Sequence, residues 1–313
     1  MRARELRKWV QLLGGLRREE RAALKAEIAA LDAVEAGVQV VETQAPRCCP
    51  HCMAGHVTRN GHANGLQRYR CHDCGKTFNA LTGTALARLH QRGKWLHQSA
   101  ALAEGQSLRQ VARQLHIALS TAHRWRHRFL RQPGAERIAA LRGIAEADET
   151  YFLHSCKGQK RLNRPARRRG GKASTRGLAP DLVPVLVARD RSGQTANLIL
   201  PSTRGADMAK ALQPILPIDT ILCTDGSSAL ASAARSLGIE HQPINVAAGC
   251  RVRGAWHIQN VNAFDSRLKI WMHRFKGIAT RYLANYLGWF RALDRSANTT
   301  SNPALFLTLA IQP

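Results

Sequence analysis

The sequence has few acidic residues and no long apolar run. Its 21 aspartates and glutamates stand against 47 lysines and arginines, which leaves a formal net charge of +26 and a sequence pI ≈ 11.1. No segment reaches the roughly 18 consecutive apolar residues of a membrane span. The basic N-terminus also lacks the apolar core and the small-residue cleavage site of a signal peptide. We therefore expect a cytoplasmic protein that does not enter a membrane.

The chain is nevertheless apolar enough to fold. It has 313 residues, of which 44% are hydrophobic, enough for two or three domains and at least one sizeable core. The excess of positive charge is larger than solubility requires and indicates a polyanionic partner, nucleic acid before a membrane surface. Binding to that partner should depend strongly on salt concentration.

Eight cysteines are present, and four of them form two C-x-x-C pairs. A β-hairpin between the pairs can return the second pair to the first, so that four thiolates surround one Zn²⁺ tetrahedrally. We predict a structural zinc ribbon with these ligands: Cys49, Cys52, Cys71 and Cys74. Two disulfides, or four unrelated core cysteines, are the alternatives. Cys48 neighbours the first pair but lacks the knuckle spacing.

Residues 107–129, SLRQVARQLHIALSTAHRWRHRF, have the pattern of a helix-turn-helix. The first helix has an apolar face, a short turn follows, and Ser120 is placed to cap the second helix. The second helix would leave four polar side chains outward, as in a DNA recognition helix: Thr121, His123, Arg124 and Arg128. A structural hairpin whose basic residues are merely solvated is the alternative.

A second basic segment, residues 157–177, carries nine basic residues and no acid. Such a segment is expected to be mobile until it meets phosphate. Three consecutive arginines at its centre are candidate DNA contacts: Arg167, Arg168 and Arg169.

Residues 1–36 look helical, with Leu24, Ile28 and Leu31 on one face. Self-association through this face and packing on its own domain are both open interpretations.

The run AEADETY, residues 145–151, places three acids in a strand-like segment of a basic chain. Strand alternation puts Glu146 and Asp148 on one face and Glu149 on the other. Asp225 ends a second apolar strand, DTILCTDG. Two such carboxylates on neighbouring strands bind a hard divalent cation, and in a DNA-binding protein they suggest phosphoryl transfer with two metal ions. The alternative is that Asp225 only caps the helix that follows it.

Together these motifs resemble a known family. The series CPHC, YRCHDCGKTF, a helix-turn-helix, ADETY, TDGSSA and HIQNVNAFDSRLKIWMHRF is similar to bacterial insertion-sequence transposases with an ISXO-like catalytic domain. The resemblance extends over roughly residues 46–293. It implies a ribonuclease-H-like DDE fold with Asp148 on the first strand, Asp225 on the fourth, and a third Mg²⁺ or Mn²⁺ ligand on a helix after the fifth.

The sequence departs from the common DDE pattern at the third position. Asn262 stands where glutamate is expected, and Lys269 follows on the same helix face. This resembles the family variant with asparagine in the third position and a downstream lysine, which implies a ligand role for Asn262 and a phosphate contact for Lys269. Asp265 is the second choice for the ligand, about 60° around the helix from Asn262. His257 is a further polar candidate, with a capping or packing role as an equal alternative.

These observations give one expected organisation. The fold class is multidomain α/β, with a mixed sheet in the ribonuclease-H-like part. The expected parts are a helical arm (1–45), a zinc ribbon (46–80), a helix-turn-helix domain (81–135), a catalytic domain (140–295) and a C-terminal tail (296–313).

The expected function is a DNA transposase that binds the terminal inverted repeats of its element, cuts a strand with Mg²⁺ and joins it to target DNA. Because two ends must be cut, at least a homodimer is expected. A non-catalytic DNA-binding regulator with a decayed α/β domain is the alternative, and a structure-selective nuclease of similar fold is a third.

Overall fold

The computed structural model divides the chain into two units, Met1–Gln132 with Ser301–Pro313, and Pro133–Thr300. The structure describes residues 3–138, 140–162, 165, 171, 173–175, 179–245, 248–297 and 302–312. Arg167, Arg168 and Arg169 lie outside the described residues.

The first unit begins with two helices, α1 (Ala3–Leu12) and α2 (Arg18–Thr43). The face of α2 singled out in the sequence stays open to solvent, because Leu24, Ile28 and Leu31 are 38%, 49% and 61% exposed. The helix still packs on its own unit through its C-terminal part, where Val41 is buried.

A three-stranded antiparallel sheet follows, with β1 (Val57–Ala63), β2 (Leu66–Cys71) and β3 (Thr77–Phe78) in that order. The two-residue loop between β1 and β2 is Asn64–Gly65, and both residues have positive φ (53° and 73°). Asn-Gly is the pair that tight hairpin loops favour, because both positions need left-handed backbone. The hairpin therefore carries the second cysteine pair back to the first.

The rest of the first unit is helical, and its elements are α3 (Trp95–Ala103), α4 (Leu108–Gln114), α5 (Leu119–Phe129) and α11 (Leu305–Ile311). The short helix α6 (Arg131–Ala135) contains the division between the units. Trp95 packs edge-on against Phe129, with ring centroids 6.5 Å apart, and both side chains are fully buried.

Helix α11 joins this core although it follows the whole second unit in the chain. Phe306, Leu307 and Ala310 are completely buried, and the Leu307 N–H donates to Ser99 Oγ of α3 at 3.0 Å. No motif in the sequence pointed to this packing.

The second unit is built on a five-stranded sheet. Its strands are β4 (Ile144–Leu153), β5 (Leu182–Asp190), β6 (Thr195–Ile199), β7 (Ile221–Thr224) and β8 (Glu240–Pro243). Their order is β6-β5-β4-β7-β8, in which β5 pairs antiparallel with β4 and β6, whereas β7 pairs parallel with β4 and β8. Numbered within the unit, this is the 3-2-1-4-5 mixed sheet of the ribonuclease-H-like fold, which confirms the expected fold class.

Helices cover the sheet, and their bounds are α7 (Gly205–Leu212), α8 (Ser228–Leu237), α9 (Gln259–His273) and α10 (Leu283–Ser296). A small hairpin, β9 (Val252–Arg253) and β10 (Trp256–His257), precedes α9.

Strand alternation assigns the two faces of β4. Ala145 and Ala147 join the apolar core formed with α7 and α8. Glu146 faces the other way and bonds to the start of α9. Glu146 and Asp148 therefore stand on the face of the sheet that α9 covers.

Candidate functional site

The four predicted zinc ligands come together in the first unit. Cys49 Sγ lies 3.7 Å from Cys74 Sγ, Cys52 Sγ lies 3.6 Å from Cys71 Sγ, and all four sulfur atoms lie within 4.8 Å of one another. A Zn–S distance of about 2.3 Å in a tetrahedron requires sulfur atoms about 3.8 Å apart. The thiols thus fit one tetrahedral Zn²⁺, and both alternatives, two disulfides and four unrelated core cysteines, are disfavoured.

Local backbone structure supports this arrangement. The backbone N–H of His51 in the first knuckle donates to Cys49 Sγ at 3.4 Å. Gly75 supplies positive φ (68°) in the turn after the second pair, and Phe78 packs on Cys49 and Cys71 in a small core.

The helix-turn-helix is formed by α4 and α5. Ser107 and Gln110 form a reciprocal capping box at the start of α4. On α5, His123 and Arg124 are exposed and Thr121 is half-buried, as a recognition surface requires. The prediction that Ser120 caps α5 is wrong, because the helix begins at Leu119, and its cap position is held by Ala118, which makes no side-chain cap.

Arg128 differs from the outward position expected from the sequence. It is half-buried, and its Nη2 donates to Ala87 O at 2.5 Å. The Arg128 side chain therefore links the end of α5 to the segment that precedes α3, and it does not extend into solvent as a DNA contact would.

In the second unit, the sheet register sets Asp148 beside Asp225. The parallel pairing of β4 with β7 matches Glu146 with Cys223. Asp148 follows Glu146 by two residues and Asp225 follows Cys223 by two, and the two residues are close enough for the charge of Asp225 to act on Asp148. Strand β7 ends at Thr224, so Asp225 directly follows the carboxyl end of this strand.

The two carboxylates act on each other. Burial, and then the charge of Asp225, raise the pKa of Asp148, while the Glu149 N–H and the Lys269 ammonium act in the opposite direction. Burial and the charges of Asp148 and Asp225 also raise the pKa of Glu149 to about 7. Glu149 therefore shares the electrostatic environment of the pair, which strand alternation alone did not indicate.

Asp225 does not cap the following helix. Ser227 holds the cap position of α8 and its Oγ accepts from the Leu230 N–H at 3.4 Å. Asp225 Oδ1 accepts from the Ser227 N–H at 2.9 Å in the turn before the helix. The turn fixes the orientation of the carboxyl group while the residue stays exposed.

Helix α9 carries three candidate residues, which differ in their exposure. Asn262 and Lys269 are exposed, whereas Asp265 is only 4% exposed. Within the described part of the chain, Asp265 Oδ1 is buried without a hydrogen-bond partner. Burial, and then the charge of Asp148, raise the pKa of Asp265 to about 7, and Lys269 opposes the rise.

A buried network joins β4 to the start of α9. Glu146 is fully buried and accepts from Asn260 Nδ2 at 3.0 Å and from the Val261 N–H at 2.9 Å. Arg191 forms an ion pair with Glu146 and lies 2.7 Å from His257 Nε2. The sequence singled out His257 but not Arg191, which no motif marks.

The acids are less closely gathered than the thiols. Among the described residues, the four cysteines are the one set of three or more His, Cys, Asp or Glu side chains whose ligand atoms all lie within 4.8 Å.

No helix among the residues that the structure describes is long and apolar enough to cross a membrane.

Comparison with known proteins agrees with the geometry. Residues 140–291 match the family described as ISXO2-like transposase domain. The match lies within the second unit. Residues 88–142, which include the helix-turn-helix, match a homeodomain-like domain. The family resemblance expected from the sequence is thereby confirmed.

The chain is also similar to a protein in the transposable element ISH50 of Halobacterium salinarum. The two are 29% identical over 252 residues, which cover 78% of this chain and 83% of that protein. The relative is described only as an uncharacterized protein in that element. The match therefore assigns no activity.

Among solved structures, a simian T-cell lymphotropic virus intasome matches with a TM-score of 0.28 and 14% identity over 50% of each chain. A pre-cleavage Mos1 transpososome matches with a TM-score of 0.26 and 14% identity over 68% of this chain and 76% of its own. The chain thus spans half the length of the first of these. Overlaps this partial do not define the fold, which rests on the strand order.

Proposed function

We propose that the protein is a DNA transposase that binds the terminal inverted repeats of its element and catalyses strand cleavage and strand transfer. The observation that carries the proposal is the parallel register that sets Asp148 beside Asp225 at the sheet edge covered by α9. Such a pair in an ISXO2-like transposase domain is suited to phosphoryl transfer.

The residues fit a divalent cation. Burial and the charge of Asp225 raise the pKa of Asp148, so a cation between these carboxylates would be favoured. The buried Asp265 Oδ1 has no hydrogen-bond partner among the described residues. Oxygen ligands of this kind suit Mg²⁺ or Mn²⁺. When bound, such ions would activate the attacking oxygen and stabilise the leaving one. Because these acids are spread more widely than the cysteine cluster, DNA phosphate is expected to complete the coordination.

The third ligand is assigned to Asn262, with Asp265 as the competing residue. Asn262 is exposed on α9 and offers a neutral carbonyl oxygen. Asp265 offers a charge and already senses Asp148. Lys269 is exposed one turn beyond Asp265, where its ammonium is placed to contact a DNA phosphate.

The DNA ends are proposed to bind the first unit. Thr121, His123 and Arg124 on α5 would contact the major groove, and the zinc ribbon would support them. The arginines of the 157–177 segment would contact phosphates without reading sequence. The protein is proposed to act in the cytoplasm as at least a homodimer, because two ends must be cut, and the five-part division of the chain stays a prediction.

A strand-transfer assay on the purified full-length chain tests this function. Short inverted repeats flanking the gene supply the DNA ends, and product is measured with Mg²⁺, with Mn²⁺ and without either. Asp148→Asn and Asp225→Asn should lower strand transfer by orders of magnitude and leave repeat binding intact. Asp219→Asn is the matched control, because Asp219 is an exposed acid before the other end of β7.

Two outcomes would replace the proposal. Repeat binding without metal-dependent cleavage would make the protein a DNA-binding regulator. Cleavage that ignores the repeat and yields no joined product would make it a nuclease of similar fold.

A further inference from the structure

We propose that Glu146 is a positioning residue, which caps the start of α9 from strand β4 and thereby sets the residues of α9 relative to Asp148. The proposal rests on the function proposed above for Asp148 and α9. It assigns a purpose to Glu146, the first acid of the AEADETY run, which contacts neither DNA nor metal in this scheme.

The start of α9 lacks a cap of its own. Its cap position is held by Ile258, which has no side-chain hydrogen bond to the helix. The first N–H groups of a helix have no partner within it, and a buried group left unpaired is costly. The third N–H of α9, from Val261, instead donates to Glu146 Oε2 at 2.9 Å. The capping carboxylate therefore comes from a strand 115 residues earlier in the chain.

Two further contacts complete this cap. The Gln259 N–H donates to His257 Nδ1 at 3.3 Å, and Asn260 Nδ2 donates to Glu146 Oε1 at 3.0 Å. The positive end of the helix dipole also favours a carboxylate at this position. Successive residues at the start of α9 are thus held by side chains from outside the helix.

Arg191 makes the buried charge tolerable. Its guanidinium pairs with Glu146 and donates to Ala255 O at 2.9 Å. A fully buried carboxylate needs such a partner, since an unpaired buried charge is strongly destabilising. The ion pair joins β4 to the segment after β5 and to the hairpin before α9.

The cap can position the site because its residues are close in sequence to the candidate metal ligands. Glu146 lies two residues before Asp148 on the same face of β4, and Val261 directly precedes Asn262 on α9. A shift of the helix start would move Asn262, Asp265 and Lys269 away from Asp148 together. The cap therefore fixes the separation on which metal binding between strand and helix depends.

Glu146→Gln tests the proposal, because it keeps the size of the side chain and removes its charge. The matched control is Glu136→Gln, which removes the carboxylate that pairs with Arg291 and Arg295 in the same unit. Two measurements are made on each full-length variant, the Mg²⁺ dependence of strand transfer and the hydrogen exchange of backbone N–H groups in residues 259–262.

Glu146→Gln should raise the Mg²⁺ concentration for half-maximal activity, or lower activity, by about 10- to 100-fold. It should also speed exchange at residues 259–262, whereas Glu136→Gln should do neither. Equal Mg²⁺ dependence and equal exchange in the two variants would overturn the proposal, since Glu146 would then be an ordinary structural ion pair.

Milder changes cover the case in which Glu146→Gln does not fold. Asn260→Ala removes one donor to Glu146, and Glu146→Asp shortens the cap while keeping its charge. Both should show the same two effects in weaker form, and unchanged exchange in both would count against the cap. If the wild-type chain shows no strand transfer, the proposed function fails, while the exchange measurement still decides the role of Glu146.

Discussion

Asp265 lies three residues after Asn262 on α9, yet Asp265 is buried at 4% exposure and Asn262 is exposed. The buried residue carries the charge, and the exposed one occupies the position that the family resemblance assigns to the third ligand. The two residues therefore make different predictions for the metal site.

Substitution at both positions separates the two assignments. If Asn262 is the ligand, Asn262→Ala should abolish strand transfer, and Asn262→Asp should retain it or lower the Mg²⁺ requirement, because it adds a charge. If Asp265 is the ligand, Asp265→Asn should abolish strand transfer and Asn262→Ala should have little effect. Strand transfer is measured across a Mg²⁺ titration, and Mn²⁺ binding to each variant gives a second comparison without DNA turnover.

Activity found only in Asn262→Glu, with both the wild-type chain and Asn262→Ala inactive, would identify a decayed enzyme.

The raised pKa values of Asp265 and Glu149, both about 7, predict a pH dependence of stability. In the unfolded chain these groups lose their protons near pH 4. Between about pH 4 and 7 the folded state therefore binds more protons, so the stability of the second unit should fall as pH rises through this window. Two neighbouring charges act on Asp265: Asp148 raises its pKa and Lys269 lowers it.

Thermal unfolding from pH 4 to 8, without divalent cations and without a chelator that would remove zinc, measures this trend. Asp265→Asn should flatten it, and added Mg²⁺ should raise stability most near pH 8. A stability that climbs from pH 4 to 7 in the wild-type protein, with no change in Asp265→Asn, would contradict the prediction.

Zinc is predicted to be structural, because four thiolates leave no open coordination position. Cys71→Ser should lose the metal, unfold the ribbon and weaken binding to the repeat, while the second unit stays folded. Elemental analysis and DNA binding are the measurements. Cys48→Ser is the control, since Cys48 is an exposed neighbour outside the cluster. Purified wild-type protein without stoichiometric zinc would end this idea.

The central arginines of the 157–177 segment are predicted to contact phosphates. Replacing Arg167, Arg168 and Arg169 by alanine should weaken binding to all DNA sequences alike and reduce the slope of log K against log salt by up to about 0.9 per arginine. The control is a triple substitution of exposed basic residues on α1, namely Arg4, Arg7 and Lys8. An equal change of slope in both triple variants would assign the effect to overall charge.

The sequence predicted those parts of the molecule whose geometry is local. Cysteine spacing within two short knuckles was enough for the cysteine cluster, and an acid within β4 with another directly after β7 was enough to predict that Asp148 and Asp225 are neighbours. In both cases a few neighbouring residues determine where the side chain stands.

Parts that depend on distant segments were not predictable in the same way. The hydrogen-bond partners of Glu146 come from two later segments, and the burial of Asp265 depends on how α9 lies on the sheet. Arg128 was expected outward from helical periodicity, but a carbonyl 41 residues earlier holds it. Periodicity describes one element at a time and carries no information on which element lies opposite.

Helix α11 has a consequence for the order of events on the ribosome. Phe306, Leu307 and Ala310 fill the core of the first unit, but they are synthesised after the entire second unit. The DNA-binding unit therefore cannot finish folding co-translationally before the nuclease-like sheet has emerged. A nascent chain or a fragment truncated before α11 would have the cysteine cluster and the recognition helix on an incomplete core. A complete core of the first unit would then exist only in chains whose second unit has already been synthesised.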